Sequence, residues 1–311
     1  MNIHLLESDR FSDVGYQVLA GLGPVSKGMD LISLKKADVL FVRLAHKIDS
    51  DFIKTNCPNV KYVLSPTTGH DHLDLNFFKE NGIQLISLFG ETEFLDSIPS
   101  TAEHTWALLL GLIRKLPSAS SHAISEKWNR DLFIGNTLRG KTIGLLGYGR
   151  VGRQVANFAL AFGMKVKAFD LESKYYPAEI VGHDNFEAFA ESLDILSIHI
   201  PMNAKNRLWL NGDRLEMLKS GVKIINTSRG GIWDEEYLAT LIKNGHVSGV
   251  ATDVLADETN PEILPDNPLM KLARLEYSVL ITPHIAGACF ETMHSTEEFV
   301  VQKLVDTLKL G

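Results

Sequence analysis

The sequence predicts an α/β protein built from two doubly wound lobes. Three observations carry that expectation. Short β-branched runs alternate with helical patterns along almost the whole chain, which means a parallel sheet covered on both faces. The alternation falls into two series, separated by one long apolar helix. At 311 residues the chain has the length of roughly two domains.

In the first series the strands are NIHLL, DVLFVR, VKYVLS and IQLIS, with helices expected over DSDFIKTN and DLNFFKENG. A proline then precedes TAEHTWALLLGLIRKL, a helix expected to run to Pro117, capped by Ser100 or Thr101 and with Glu103 in its first turn. The boundary between the lobes falls there, near residues 98–100. The second series reads KTIGLLG, KVKAFD, DILSIHIP, VKIINTS, GVATDV and VLITPH, with helices over FEAFAESL, DRLEMLKSG and EEYLATLIKNG. The last helix, near residues 292–310, has no later strand to serve. It is expected to pack back on the first lobe and make that lobe discontinuous.

Composition narrows the partners. The chain is 45% hydrophobic and 22% charged, with net charge −7 and no basic run, which argues against nucleic acid and anionic membrane. Its start, MNIHLLESDR, is acidic too early for a signal peptide, and WALLLGLI is far too short to span a bilayer. Two cysteines give no disulfide framework and fit a reducing cytoplasm.

The stretch GLLGYGRVGRQVANFALAFGMKVKAFD sets Gly147, Gly149 and Gly152 in the spacing G-x-G-x-x-G. That spacing alone is weak, but here its context is complete. A strand precedes it, an amphipathic helix follows, and a second strand ends in Asp170 roughly twenty residues on. Gly147 allows the tight turn, Gly149 lets a pyrophosphate approach the backbone, and Gly152 lets helix and strand pack closely. Asp170 can accept from ribose hydroxyls and, with Glu172, repels a 2′-phosphate, so NAD is favoured over NADP. The first lobe has no such loop.

Three further segments sit at strand ends of the second series: NTSRGG with Arg229, ATDVLADE with Asp253 and Glu258, and TPHIAG with His284. Ligands of a doubly wound sheet bind outside the carboxyl ends of its strands, so these side chains are expected to converge. Reduction of a 2-keto acid needs a cation to grip the carboxylate and polarise the carbonyl, and an acid to protonate the alkoxide. A planar arginine fork suits the first task and a histidine the second. A carboxylate beside the histidine would favour its protonated form and fix its orientation.

With GLLGYGRVG, SIHIPMNAKNRLWLNGDRLEMLKSG, INTSRGGIWDEEYLATLIKNGHVSGVATDV and ITPHIAG in this order, the chain resembles the D-isomer-specific 2-hydroxyacid dehydrogenases over nearly its whole length. The resemblance implies a Rossmann NAD-binding domain over residues 99–284. It implies a discontinuous, flavodoxin-like substrate domain formed by residues 1–98 and 285–311. It implies reversible NAD-linked reduction of a 2-keto acid to the D-2-hydroxy acid, a homodimer, and catalytic Arg229, Glu258 and His284. Cofactor contacts are implied at Gly147, Gly149, Arg150, Val151, Gly152, Asp170, Ile200, Pro201, Thr227, Ser228, Arg229, Asp253 and His284. In the first lobe, LSPTTGHDHLDL resembles the family's substrate loop, with Thr68 and Gly69 placed to offer backbone amides to the substrate carboxylate. Thr67 stands where a glycine is common, and Ser65 where some phosphoglycerate enzymes carry an arginine.

Several residues have two readings. Arg43, ending DVLFVR, either reaches the far end of the substrate, alongside Arg229, or forms an ion pair at the surface or between lobes. His104 and Trp106 read as core or interface residues, and Trp233 as part of a dimer contact or of the cleft. His70 and His72 of GHDH lack a third ligand at a recognisable spacing, so no metal is expected. Two alternative functions stay open: a phosphonate or formate type of dehydrogenase, and a dinucleotide-sensing corepressor-like protein. Such corepressors carry extra tails, and a chain ending at Gly311 favours the enzyme.

Overall fold

The computed structural model describes residues 1–170, 172 and 175–310. The backbone gathers into two units, Met1–Ile98 with Ala288–Gly311 and Pro99–Gly287. In chain order the first unit begins with β1 (Ile3–Leu5), α1 (Asp13–Leu22), β2 (Val25–Lys27), α2 (Leu31–Leu34) and β3 (Val39–Phe41). It continues with α3 (Ser50–Asn56), β4 (Tyr62–Ser65), α4 (Leu75–Glu80), β5 (Gln84–Ser87) and α5 (Thr92–Asp96). The second unit opens with α6 (Ser100–Ile113) and α7 (Leu116–Ile124), followed by β6 (Thr142–Leu146), α8 (Arg150–Ala161), β7 (Lys165–Phe169) and β8 (Ile180–His183). Then come α9 (Phe186–Ala190), β9 (Ile195–Ile198), α10 (Gly212–Glu216), β10 (Val222–Asn226), α11 (Glu235–Lys243), β11 (Val247–Thr252), α12 (Pro268–Arg274) and β12 (Val279–Ile281). The chain returns to the first unit through α13 (Phe290–Leu310).

The first sheet is parallel throughout, in the order β2-β1-β3-β4-β5, which is the flavodoxin-like arrangement. The returning α13 packs on α1, β4 and β5, with Val300, Val301 and Leu304 closing a core around Ile3, Leu5, Phe41 and Leu64. One polar contact locks this closure. The fully buried Glu297 carboxylate accepts from the Ser12 amide at 2.8 Å and from Arg43 Nε at 3.0 Å and Nη2 at 2.5 Å. Arg43 Nη1 donates to the Asp9 carbonyl at 3.0 Å. The arginine at the end of β3 is thus held in an ion pair inside the first unit.

The second sheet is also parallel, in the order β12-β11-β10-β9-β6-β7-β8. This is the Rossmann order with one further strand, and it reverses direction between β6 and β9. Its central strands are buried on both faces. Ile143, Leu145, Ile195 and Ile225 pack toward Leu108, Leu109, Leu112 and Val155, while Leu146, Leu196, Ile198 and Ile224 pack toward Leu215, Leu238 and Leu269. Full burial of a Leu- or Ile-sized side chain stabilises by about 1.5–3 kcal/mol, so these two layers fix where every strand ends.

Local structure adds to or departs from the expected pattern in several places. Helices α1, α2, α5 and α12 and the edge strands β2 and β8 lie outside the stretches named from the sequence. The edge strands are only three and four residues long and largely exposed, so they lack the apolar run of an interior strand. The long helix ends at Ile113 instead of Pro117, because Lys115 takes a left-handed φ of 52° and starts α7, whose first turn accommodates the proline. Neither Ser100 nor Thr101 caps α6. Pro99 occupies the cap position, Ser100 falls inside the helix, and its buried Oγ finds no partner among the described residues. The second crossing lies three residues later than expected, after Gly287. The amides of Ile285 and Ala286 are tied to Asp253 of the second unit.

Removing one member of a buried ion pair typically costs about 3–5 kcal/mol, because the other charge stays buried without a partner. Arg43→Met should lower stability by about that amount in equilibrium denaturation. A loss under about 1 kcal/mol, as for an exposed pair, would show that the Glu297 clamp contributes nothing to docking α13.

Candidate active site

The glycine-rich loop lies between β6 and α8, beside the point where the strand order reverses. Gly147 adopts φ 98°, and its amide donates to the Phe169 carbonyl at 2.9 Å. A Cβ there would stand 2.8 Å from the backbone carbonyl carbon of His199, so only glycine fits. At Gly149, the cap residue of α8, a Cβ would meet nothing within 4 Å, and no side chain caps the helix. The open cradle and the uncapped first turn, which holds Arg150, Val151 and Gly152, fit a pyrophosphate. Asp170 follows β7 and accepts from the Tyr148 amide at 2.7 Å and the Glu172 amide at 2.9 Å, so its carboxylate stands beside the loop. Across the reversal, β9 leads into His199, Ile200 and Pro201. Burial pushes the His199 imidazole down to about 3, so it is neutral at pH 7, and its Nε2 pairs with Ser197 Oγ at 2.9 Å.

The turn after β10 is held from beneath. Asn226, with no exposed surface, accepts from the Ser228 amide at 2.9 Å and donates to the Arg229 carbonyl at 3.0 Å. Ser228 Oγ donates to the Ile200 carbonyl at 2.5 Å, tying this turn to the loop after β9. Thr227 Oγ1 pairs with Thr105 Oγ1 of α6 at 2.6 Å. Arg229 itself is half-buried, with Nη1 donating to the Ser228 carbonyl at 2.8 Å. A Cβ on Gly230 would run into the backbone of Leu255 and Ala256, so the turn carrying Arg229 lies directly on the one after β11.

That second turn begins with Asp253, whose buried carboxylate is a hub. Oδ1 accepts from Thr282 Oγ1 at 2.6 Å, the Ile285 amide at 2.9 Å and His104 Nε2 at 3.2 Å, and Oδ2 accepts from the Ala286 amide at 2.8 Å. His104 Nε2 also meets Thr282 Oγ1 at 2.9 Å. Further along, Glu258 accepts from the Leu255 amide through Oε2 at 2.9 Å and pairs through Oε1 with His284 Nδ1. His284 has φ 53°, a conformation uncommon outside glycine, and is kept there by its amide bonds to the Asp253 carbonyl at 2.8 Å and the Thr282 carbonyl at 3.1 Å. Its Nε2 has no partner among the described residues. Both side chains of the Glu258–His284 pair are about one quarter exposed. At such exposure a pair adds roughly 0–1 kcal/mol, so its effect is to orient the ring more than to stabilise the fold.

In the first unit, the loop after β4 is braced by Thr67 Oγ1, which pairs with Ser65 Oγ and donates to the Gly69 carbonyl, both at 2.9 Å. The backbone amides of Thr68 and Gly69 have no acceptor among the described residues. His70 Nε2 pairs with Ser87 Oγ at 2.9 Å and His72 Nε2 lies 3.5 Å from Ser65 Oγ, so both rings serve this loop. Buried Cys57 has its thiol pushed up to about 12 by desolvation, which leaves it inert at neutral pH.

The structure therefore brings Thr227, Ser228, Arg229, Asp253, Glu258 and His284 to one edge of the second sheet, next to the glycine loop. Arg43 lies in the first unit, engaged with Glu297. Two polar residues with a part in this edge escaped sequence reasoning, Thr105 and Glu235, and His104, read as a core or interface residue, proves to be a partner of Asp253. His104 and Thr105 were visible as polar positions in an otherwise apolar helix. Glu235 reads as one more acidic residue in a helix's first turn. Trp233 is 1% exposed and belongs to the core of the second unit.

Residues 106–286 match the family model described as D-isomer specific 2-hydroxyacid dehydrogenase, NAD binding domain. Hydroxypyruvate reductase of Thermotoga maritima is 35% identical over 277 residues, covering 88% of this chain and 86% of that protein. D-3-phosphoglycerate dehydrogenase of Bacillus subtilis is 34% identical over 277 residues, covering 88% of this chain and 50% of that protein. This chain thus spans about half the length of the phosphoglycerate dehydrogenases that it matches. Among solved structures, D-lactate dehydrogenase of Aquifex aeolicus, complexed with NAD and lactic acid, superposes with TM-score 0.81 at 26% identity, covering 99% of this chain and 95% of that one.

Burial alone would raise the Asp253 carboxyl, yet its bonds from His104, Thr282 and the Ile285 and Ala286 amides hold it below the ordinary carboxylate value. A group depressed on folding contributes stability above its unfolded value, about pH 4, and that contribution is lost as pH falls through the folded value. Asp253→Asn should therefore lower the denaturation midpoint at pH 7, with the gap to the parent narrowing as pH falls below about 4. A gap that stays constant on acidification below that point would contradict the hub.

Proposed function

Since the chain belongs to the D-isomer specific 2-hydroxyacid dehydrogenase family, we propose that it reversibly reduces a short 2-keto acid to its D-2-hydroxy acid with NADH. One observation carries the reading: His284 has Nδ1 fixed by Glu258 and Nε2 without a partner among the described residues, on the strand edge that also carries Arg229 and the glycine loop. Bound at that loop, NADH supplies the hydride. The Arg229 guanidinium grips the substrate carboxylate as a planar fork and polarises the carbonyl. As C2 becomes saturated, the carbonyl oxygen takes a proton from His284 Nε2, and in the oxidative direction the same nitrogen removes it. The Glu258 carboxylate, paired with Nδ1, holds the ring in one orientation and leaves Nε2 to face the substrate. In the first lobe, the unbonded amides of Thr68 and Gly69 are assigned to the substrate carboxylate. Arg43, with Nε and Nη2 taken by Glu297, is assigned to that clamp in place of the substrate.

The test is a steady-state panel with pyruvate, glyoxylate, hydroxypyruvate and its phosphate ester, each with NADH and NADPH. NADH should be preferred, because Asp170 and Glu172 oppose a 2′-phosphate. His284→Ala should lower turnover by about two to four orders of magnitude while NADH binding survives. Glu258→Gln should lower turnover while NADH affinity is kept, because the ring loses the carboxylate that orients it, and Arg229→Lys should impair both KM and turnover. Near-parental turnover in His284→Ala would sink the mechanism. Tight NADH binding with no turnover of any acid would favour a dinucleotide sensor.

The functional unit is proposed to be a homodimer. Residues 116–134 expose Leu116, Ile124, Trp128, Leu132 and Ile134, with Trp128 92% exposed, and α7 buries none of its residues. Large apolar side chains exposed together in one stretch of chain are what a subunit interface would cover. Ile124→Glu with Trp128→Glu should shift the sedimenting species from dimer to monomer. A parent that sediments as a monomer would refute the assignment.

A further inference from the structure

We infer that Glu235 is a positioning residue for the proposed reaction, setting the turn that carries Glu258 against the turn that carries Arg229. Its carboxylate is 7% exposed and takes donors from three separate segments. Oε1 accepts from Trp233 Nε1 at 3.3 Å, four residues past Arg229, and from the Ala256 amide at 2.9 Å. Oε2 accepts from Asn267 Nδ2 at 2.5 Å, just ahead of α12. Consecutive amides of one turn are thereby divided between two carboxylates: Leu255 binds Glu258, and Ala256 binds Glu235. A shift of that turn would loosen both, and Glu258 is what holds the His284 ring.

Simpler roles for Glu235 are already filled. Capping of α11 belongs to Asp234, whose Oδ1 accepts from the Tyr237 amide at 3.0 Å, and Glu236 supplies a solvated first-turn charge. Burial, the largest influence, raises the Glu235 carboxyl above its ordinary value, and the three donors oppose that rise. A carboxylate kept dry at such a cost, on the loops that present the site, is consistent with a task in placing them.

The three donors demand acceptors only. In Glu235→Gln one oxygen becomes an NH2 that must face a donor. Asn267 cannot turn to receive it, because its Oδ1 already accepts from the Leu269 amide at 2.9 Å and the Met270 amide at 3.3 Å. Asn267→Asp added to Glu235→Gln restores the match: the new carboxylate accepts from the glutamine NH2 and still caps α12. Asn267→Asp alone sets two carboxylates face to face.

This inference rests on the reading of function above, so the test carries one measurement that does not. For the parent, both single variants and the double, we would measure kcat and KM, NADH affinity by fluorescence, the melting temperature, and the imidazole 15N shifts of His284. Glu235→Gln is expected to lower kcat/KM by about 10–100-fold, with a shifted His284 signal and NADH affinity within about twofold. The double variant is expected to recover both kcat/KM and the signal. Parental kcat/KM and parental shifts in a folded Glu235→Gln protein would overturn the inference. So would a double variant that regains its melting temperature but not its kcat/KM and shifts. If Glu235→Gln does not fold, the double variant decides alone: parental kcat/KM and shifts support the role, and a lost Glu258–His284 signature refutes it. If the parent reduces no acid, the functional reading fails by itself and the 15N shifts still judge the positioning role.

Discussion

The site depends on one place where two backbones touch. At Gly230 the turn after β10 lies on the turn after β11 with no room for a side chain. Arg229 precedes that contact and Glu258 follows its partner strand, so their neighbourhood comes from main-chain packing and not from attraction between them. Asn226 holds the first turn from below, and the Leu255 and Ala256 amides hold the second through two carboxylates. His284 enters from the next strand in a left-handed conformation maintained by Asp253 and Thr282. The parallel sheet brings all of these to one edge, and the reversal between β6 and β9 opens that edge beside the glycine loop.

Buried carboxylates perform most of the holding. Asp253, Glu235 and Glu297 are each nearly or fully enclosed, and each accepts from three or more donors. An ionised group in such a place is costly unless its acceptors are filled, and each of the three ties its own segment to at least one that is distant in sequence. Glu258 differs. It is partly exposed and contributes little to stability, which suits a group whose task is to orient an imidazole.

Most of the fold was legible because it is written in contiguous patterns. The interior strands are short runs rich in apolar and β-branched residues, and the G-x-G-x-x-G motif carries its strand, helix and acidic residue within one stretch of chain. The segments bearing Arg229, Asp253, Glu258 and His284 could be located because each ends such a strand. What escaped depends on partners distant in sequence or on a single backbone angle. Edge strands β2 and β8 have too little burial to leave a pattern. The break at Lys115 is one left-handed residue in a helical run. His104 meets Asp253 only through folding of the second unit, and Glu235 could not be told from the acidic residues on either side of it. Arg43 left two readings because its partner, Glu297, arrives on a helix at the far end of the chain.

The central claim is that this strand edge supports delivery of a hydride to C2 of a keto acid while His284 protonates the oxygen. Its most direct test is product analysis after reduction with NADH deuterated at the transferable C4 position, by mass spectrometry and chiral chromatography. One deuterium at C2 of a product that is entirely the D isomer is the expected result. A product of L configuration, or one without deuterium at C2, would contradict it.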